Sequence, residues 1–456
     1  MAVKRLTLFH TNDIHSCFDH WAQVVAHIKN QRDENTLYFD LGDHADRSNP
    51  VTEASIGQGN TRLLNEAQVD YVTIGNNEGI TFAKEQLEHL YDDAAFPVVL
   101  ANLFEQNGRR PDWVRPTALH RLDNGLTVGL IGVTAPFTKF YQQLGWRIAP
   151  PKPVLKEQLV ALRQEADIVI LLSHLGLFRD EEIAAEFEEI DVIIGAHTHH
   201  VLPAGKRVVG TLIAQAGKFG AYLGQVQIEY DTESQQVVES EATLVDISKS
   251  PEDERTKTLL ADMKAETERL LAEQVAVLPE RLPVDWQART KGTQFLCDAL
   301  TEWCGQKLGM MHAGVLLEAL EAGTITKADV HRVCPHPINP CVVELTGRQL
   351  EETVKRAYSQ ELRYLELKGF GFRGKVLGRM VFTGIEVDGT AETVHSITVL
   401  GEKLHADHVY SIATLDMYTF GHLLPAMADS TSKRYFMPEF LRDILAWKLN
   451  QLWGDV

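Results

Sequence analysis

Five apolar runs in the first 200 residues each end in a short polar cluster, and that pairing limits the fold more than any other feature of the chain. Leu6 to His10 leads into Asp13-Ile14-His15, and Thr36 to Leu41 into Gly42-Asp43. Tyr71 to Ile74 leads into Gly75-Asn76-Asn77-Glu78. Ile168 to Leu172 leads into Ser173-His174, and Val192 to Ile194 into Gly195-Ala196-His197-Thr198-His199. Short apolar runs closed by Gly, Asn or Asp read as buried parallel strands. In an open α/β sheet, functional groups collect at the carboxyl ends of such strands. Five clusters at five strand ends therefore meet at one place.

The clusters supply Asp13, His15, Asp43, Asn76, His174, His197 and His199. Carboxylate oxygen, amide oxygen and imidazole nitrogen suit Mn, Zn, Co, Fe or Ni. Seven such donors are enough for two divalent metal ions, which together can activate a water and neutralise a phosphoryl group. One Asp or His after a strand is commonly a cap or a turn residue; all five clusters in this order carry the metal reading. His10, His20 and His200 read as a strand residue, a helix-surface residue and a neighbour.

The order of motifs resembles that of the bacterial and animal 5'-nucleotidase family, within the calcineurin-like metallophosphoesterases. His10-Thr11-Asn12-Asp13-Ile14-His15, Gly42-Asp43, Gly75-Asn76-x-Glu78, Ser173-His174-Leu175-Gly176, Gly195-Ala196-His197-Thr198-His199 and Gln215-Ala216-Gly217-Lys218-Phe219-Gly220 carry the likeness. The resemblance implies one ion on Asp13, His15, Asp43 and His199. It implies a second on Asp43, Asn76, His174 and His197, with Asp43 bridging. That family usually has Gly-Asn-His-Glu, with an Asp two residues after the Glu, and its His–Asp dyad lies near the reacting phosphoryl group. Here Asn77 and Ile80 stand at those positions. Asn donates a hydrogen bond but cannot carry imidazolium charge, and a charge-assisted donor is about twice as strong as a neutral one. His44, Asp46 and Arg47 follow Asp43 in sequence, and His44 or Arg47 is the expected replacement. Asn76, Asn77, His44 and Arg47 are thus the expected catalytic groups.

At 456 residues, two domains are expected. Helical spacing over Trp21 to Asn30, Gly57 to Ala67, Phe82 to Tyr91 and Pro153 to Glu165 alternates with the strands. Val208 to Gln215, Tyr222 to Tyr230 and Gln236 to Val245 read as antiparallel strands. The fold class is α/β: an N-terminal metallophosphoesterase-type two-sheet sandwich flanked by helices over 1–249, and a C-terminal α+β domain of 5'-nucleotidase type over 278–456. A connector helix over 250–277 joins them; its alternative reading is a surface helix of the first domain. In the second domain Lys291 to Leu308 and Thr346 to Tyr358 read as helices, and Pro335 to Pro340 as a loop that cannot form a central strand.

Two departures concern substrate recognition. The resembled family often carries Asn-x-Gly-Gly-Ile-Arg, where this chain has Met311-His312-Ala313-Gly314-Val315-Leu316. It also brackets a base between two Phe rings. Phe370 or Phe372, with Phe420, are the aromatic candidates here; His312, His336, Arg373 and His422 are the polar ones. Of these, Phe372, Phe420, Arg373 and His336 are the expected substrate contacts.

The formal charge of −19 excludes nucleic-acid polymers and anionic membranes as natural partners, while small nucleotides remain compatible. Cys17, Cys297, Cys304, Cys334 and Cys341 have no metal-ligand spacing. The N-terminus runs straight into a strand with no leader pattern, so a cytoplasmic location is expected. The leading functional expectation is a dimetal phosphoester hydrolase acting on nucleotides or nucleotide-like molecules through attack by metal-bound hydroxide. A phosphodiesterase on cyclic or linear nucleotide diesters, and a metal- or nucleotide-binding protein of little turnover, stand as alternatives.

Overall fold

The computed structural model describes residues 3–390 and 393–454. The chain divides into two compact units, the first ending at Thr267 and the second beginning at Glu268.

The first unit is built on two sheets. One has seven strands, in the order Gln236–Asp246, Tyr222–Asp231, Val3–Thr11, Thr36–Asp40, Tyr71–Val72, Val98–Val99 and Val114–Arg115. The other has six, in the order Lys206–Val208, Thr211–Ala214, Val192–Gly195, Ile168–His174, Thr127–Thr134 and Thr117–Arg121. Side chains alternate across each strand, so Ile168, Ile170 and Leu172 face Leu6, Leu8 and Phe39 in a core between the sheets. Val169 and Leu171 face the other way, under Leu155 and Leu159 of helix Pro151–Glu165. A strand covered on both sides must be apolar throughout its run, as Ile168 to Leu172 is. Truncating one of these buried Leu side chains to Ala costs about 2–5 kcal/mol.

The strands before the clusters are parallel where they pair. Val3–Thr11 pairs in parallel with Thr36–Asp40, which pairs in parallel with Tyr71–Val72. Ile168–His174 pairs in parallel with Val192–Gly195. The expected strand from Val208 to Gln215 is corrected: Val209 has φ +57° and turns the chain. Lys206–Val208 and Thr211–Ala214 form a hairpin, and the second arm runs parallel to Val192–Gly195.

The helix Glu254–Leu271 spans the division between the units. Within the first unit its Met263 is buried, and Glu266 pairs with Arg62 at 3.0 Å.

The second unit centres on a five-stranded sheet, in the order Met380–Thr383, Leu308–His312, Val409–Leu415, Pro340–Thr346 and Lys433–Tyr435. The helix from Lys291 stops at Trp303 rather than running to Leu308, which opens a strand. Thr346 caps helix Gly347–Tyr358 by accepting from the Gln349 N–H. Together these elements form the expected α+β unit. No helix among the described residues is long and apolar enough to cross a membrane.

Candidate metal centre

The strand-end loops that carry the ligands are locked to one another by backbone bonds. The Asp13 N–H donates to the Gly42 carbonyl at 3.1 Å, and the His15 N–H to the Asp43 carbonyl at 2.7 Å. The Phe219 N–H donates to the Asp13 carbonyl at 2.9 Å. Asp13, His15, Asp43, His197 and His199 all lie in the left-handed region, at φ 53°, 48°, 50°, 71° and 56°. Non-glycine residues rarely adopt that conformation, and it costs about 1–3 kcal/mol each. Five such residues in one cluster mark a constellation whose side-chain directions are imposed by the fold.

Side chains converge from both sheets. His174 Nε2 lies 3.5 Å from Asp43 Oδ1 and 3.9 Å from Asp13 Oδ1. His199 Nε2 lies 3.5 Å from Asp13 Oδ1 and 3.4 Å from His15 Nε2. His15 Nε2 is 3.7 Å from Asp43 Oδ2. The His197 ring centre is 5.3 Å from that of His174, and its backbone N–H donates to the Asp13 carboxylate. Asp13, Asp43 and His174 are buried, while the His199 side chain is 32% exposed, so the cluster opens to solvent at His199.

The charges explain why the cluster suits cations. Burial pushes the Asp13 carboxyl up, but the His199 and His174 imidazoles outweigh it and hold it below the usual carboxylate range. Asp43 is likewise held low against burial by His174 and His15. Burial lowers His174, and the Asp43 carboxylate beside it raises it further, to about 10. His197 is lowered to about 4 by burial and by the His174 charge. A fit test for metal follows from individual atoms. The His174 Nδ1–H donates to the Leu41 carbonyl at 2.7 Å, which leaves the Nε2 position facing the carboxylates. His174 Nε2 and Asn76 Oδ1 are buried and have no hydrogen-bond partner among the described residues. Buried polar atoms are normally satisfied; these are the atoms that a bound cation would satisfy. Asp13 with His15 and His199, and Asp13 with Asp43 and His174, bring donor atoms within 4.8 Å of one another. The donor set fits divalent ions.

Comparison with known proteins agrees. Residues 6–201 match the calcineurin-like phosphoesterase family, and residues 274–427 match the 5'-nucleotidase C-terminal domain. A Bacillus subtilis (strain 168) protein, "Uncharacterized metallophosphoesterase YunD", is 44% identical over 98% of this chain and 100% of its own length. The chain belongs to the calcineurin-like metallophosphoesterases. It is a metal-dependent phosphoesterase with a 5'-nucleotidase-type C-terminal domain. The metallophosphoesterase is also 26% identical to the "Trifunctional nucleotide phosphoesterase protein YfkN" of the same organism, over 78% of this chain and 28% of that protein. In fold it is similar to the Haemophilus influenzae NAD nucleotidase, at a TM-score of 0.69 and 16% identity, over 99% of this chain and 97% of that one.

Two of the expected catalytic groups of this phosphoesterase lie elsewhere. His44 is buried, its Nδ1 is 3.1 Å from the Asn60 amide, and its ring meets Trp21 edge-on at 4.9 Å. Burial lowers it to about 3, which disfavours its cationic form. Arg47 makes two bonds to Glu53, at 2.9 and 3.0 Å, and one to the Thr81 carbonyl at 2.9 Å. Both side chains are thus engaged by neighbouring structure. Asn77 does reach the cluster. Its backbone N–H donates to Asp43 Oδ1 at 2.7 Å, and its side-chain amide is 2.8 Å from His15 Nδ1.

Sequence reading passed over two supports. Glu78 accepts from the N–H groups of Asp43, Ala45 and Gly75, at 2.9, 2.8 and 2.9 Å, and so pins two ligand loops together. Asn12 donates to Asp13 Oδ2 at 2.8 Å and to the Gly217 carbonyl at 2.7 Å. Both residues were visible inside the motifs, but nothing in a sequence separates a loop fastener from a ligand.

In the second unit the expected substrate residues fall into two groups. Phe372 is only 3% exposed; it stacks on His336 at 5.2 Å and meets His312 edge-on at 5.1 Å. It is a core residue, and its place as the candidate aromatic passes to Phe370. Phe370 is 43% exposed, has φ 53° and stacks on Phe420 at 5.8 Å. His336 is fully buried, and its Nδ1 accepts from the Arg373 N–H at 2.9 Å. Arg373 Nη1 donates to the Phe372 carbonyl at 3.2 Å.

Proposed function

We propose that this phosphoesterase hydrolyses small nucleotides or nucleotide-like phosphoesters, with two divalent ions held by seven side chains. The observation that carries the reading is the convergence of Asp13, His15, Asp43, His174 and His199 at 3.4–3.9 Å, with His174 Nε2 and Asn76 Oδ1 lacking a hydrogen-bond partner among the described residues. The Asp13–His15–His199 group, with Asp43, would hold one ion; Asp43, Asn76, His174 and His197 would hold the other. When bound, the ions supply a water of lowered pKa and neutralise the phosphoryl oxygens. The nucleotide class is supported by the 26% identity to a nucleotide phosphoesterase.

The chain's own residues set the rest. Glu78 fixes the Asp43 backbone by accepting from its N–H, and the Asn77 backbone N–H donates to the Asp43 carboxylate. His199, the most open of the measured ligands, marks the side from which substrate enters. Asn77 provides no imidazolium for a departing oxygen, so leaving groups that are weak bases are favoured. Phosphoanhydrides, whose leaving group is itself a phosphate, should therefore turn over faster than alkyl monoesters.

The test is a substrate panel on the purified protein with Mn, Co, Zn or Mg. It includes 5'- and 3'-nucleoside monophosphates, 2',3'-cyclic nucleotides, UDP-sugars and bis-para-nitrophenyl phosphate. Faster release from UDP-sugars than from 5'-monophosphates supports the reading. Release from diesters alone transfers the activity to the phosphodiesterase class, and no turnover on any member contradicts the nucleotide assignment.

A further inference from the structure

His15 reaches the cluster through Nε2. Its other nitrogen, Nδ1, lies 3.2 Å from Asp46 Oδ2 and 2.8 Å from the Asn77 amide. A neutral imidazole that lends Nε2 to a cation must carry its proton on Nδ1. Only an acceptor can satisfy that N–H.

Asp46 is placed to be that acceptor. It is 2% exposed, and its two oxygens have separate tasks. Oδ1 accepts from the Ser48 N–H at 2.8 Å, while Oδ2 faces His15. Its backbone N–H donates to Ser16 Oγ at 2.9 Å, which fastens its loop to the residue that follows His15. We propose that Asp46 is the positioning residue for His15, its carboxylate holding the imidazole in the Nδ1–H form so that the Nε2 lone pair faces the cation. This rests on the metal reading of the cluster.

Asn77 is the opposing influence. Its NH2 end set against Nδ1 requires the other tautomer, with hydrogen on Nε2 and no lone pair for an ion. A bond to a carboxylate is about twice as strong as a neutral one, so Asp46 decides the tautomer. The Asn77 amide then presents its oxygen to the same N–H after a half-turn of the side chain. Asp46 thus acts on the metal through a ligand, and substrate need not touch it.

Asp46→Asn separates the two tasks. One amide oxygen can serve the Ser48 N–H or His15, not both. With the oxygen on Ser48, the NH2 group faces Nδ1 and forces hydrogen onto Nε2. Asp46→Ala instead lets a water accept from Nδ1–H, although it loses the loop bond. Metal-stripped full-length protein is titrated with Co(II), with visible absorption and calorimetry as readouts. The wild type is expected to take up two ions. Asp46→Asn should weaken one of them by roughly 10- to 100-fold, leave the other within a factor of about three, and rank below Asp46→Ala in affinity for the weakened ion. A merely structural role predicts the reverse rank, because Asn keeps the loop bond and Ala does not. Equal affinities in wild type and Asp46→Asn, or Asn ranking above Ala, overturn the proposal while leaving the metal reading intact. Failure of the wild type to bind two ions overturns both.

Discussion

A Cβ on Gly75 would lie 2.1 Å from Asp43 Oδ1 and 2.5 Å from His174 Cε1. The φ of Gly75 is −94°, so side-chain room alone makes glycine necessary here. Gly75→Ala must push apart two ligands expected on one ion. A displacement of about 1 Å at a reacting centre costs roughly 100-fold in rate. Turnover should fall by at least that much while circular dichroism stays native, and metal content should fall with it. A Gly75→Ala enzyme at wild-type rate would show that the ligands tolerate displacement.

His44→Ala tests the residue that follows Asp43 in sequence. Its ring packs on Trp21 and its Nδ1 meets Asn60. The substitution should cost about 1–3 kcal/mol of stability, read as a lowered Tm, with both metal equivalents retained. The per-molecule turnover of the folded fraction should change by less than about threefold. A collapse of turnover without loss of stability would return His44 to the catalytic set.

Phe370 and Phe372 should behave oppositely on truncation. Phe372→Ala removes a buried ring between two imidazoles and should destabilise by about 3–5 kcal/mol. Phe370→Ala removes an exposed ring and should leave Tm nearly unchanged while raising KM for a nucleotide. A neutral Phe370→Ala in both respects would remove the aromatic pair from substrate recognition.

Asp416 supplies a pH dependence outside the metal centre. It lies at the end of strand Val409–Leu415, buried, with Oδ1 unpartnered among the described residues. Burial raises its carboxyl from the ordinary 3.8 to about 8, against two opposing backbone hydrogen bonds. Between those values the unfolded chain is ionised and the folded one is protonated, so stability is lost as pH rises. Its contribution is fully present below about pH 4 and gone by about pH 8. Asp416→Asn should therefore match wild-type Tm near pH 4 and exceed it by several degrees at pH 8.5. A constant Tm gap across that range would contradict the shift.

How much of this was legible in sequence follows from which physical signals are local. Apolar runs closed by Asp13, Asp43, Asn76, His174 and His197 announced strands and their ends, because strand burial and turn chemistry are written in consecutive residues. The turn at Val209 was missed because a non-glycine left-handed residue leaves no compositional trace. The contacts of His44 and Arg47 were hidden for a different reason. Adjacency to Asp43 says nothing about direction, and their partners Asn60 and Glu53 were chosen by packing of the helices that follow. Phe372 and Phe370 differ by two positions, yet one is buried and the other exposed, a distinction that only the local backbone decides.

The most direct measurement is an anomalous-scattering map from crystals grown with Mn(II), alongside metal analysis of the same protein and of Asp43→Asn. Two peaks are predicted, one beside His15 and His199 and one beside His174 and Asn76, with Asp43 between them. Both peaks, and phosphoester hydrolysis, should be lost in Asp43→Asn. A map with no peak at these side chains, or full hydrolysis by Asp43→Asn, would contradict the account.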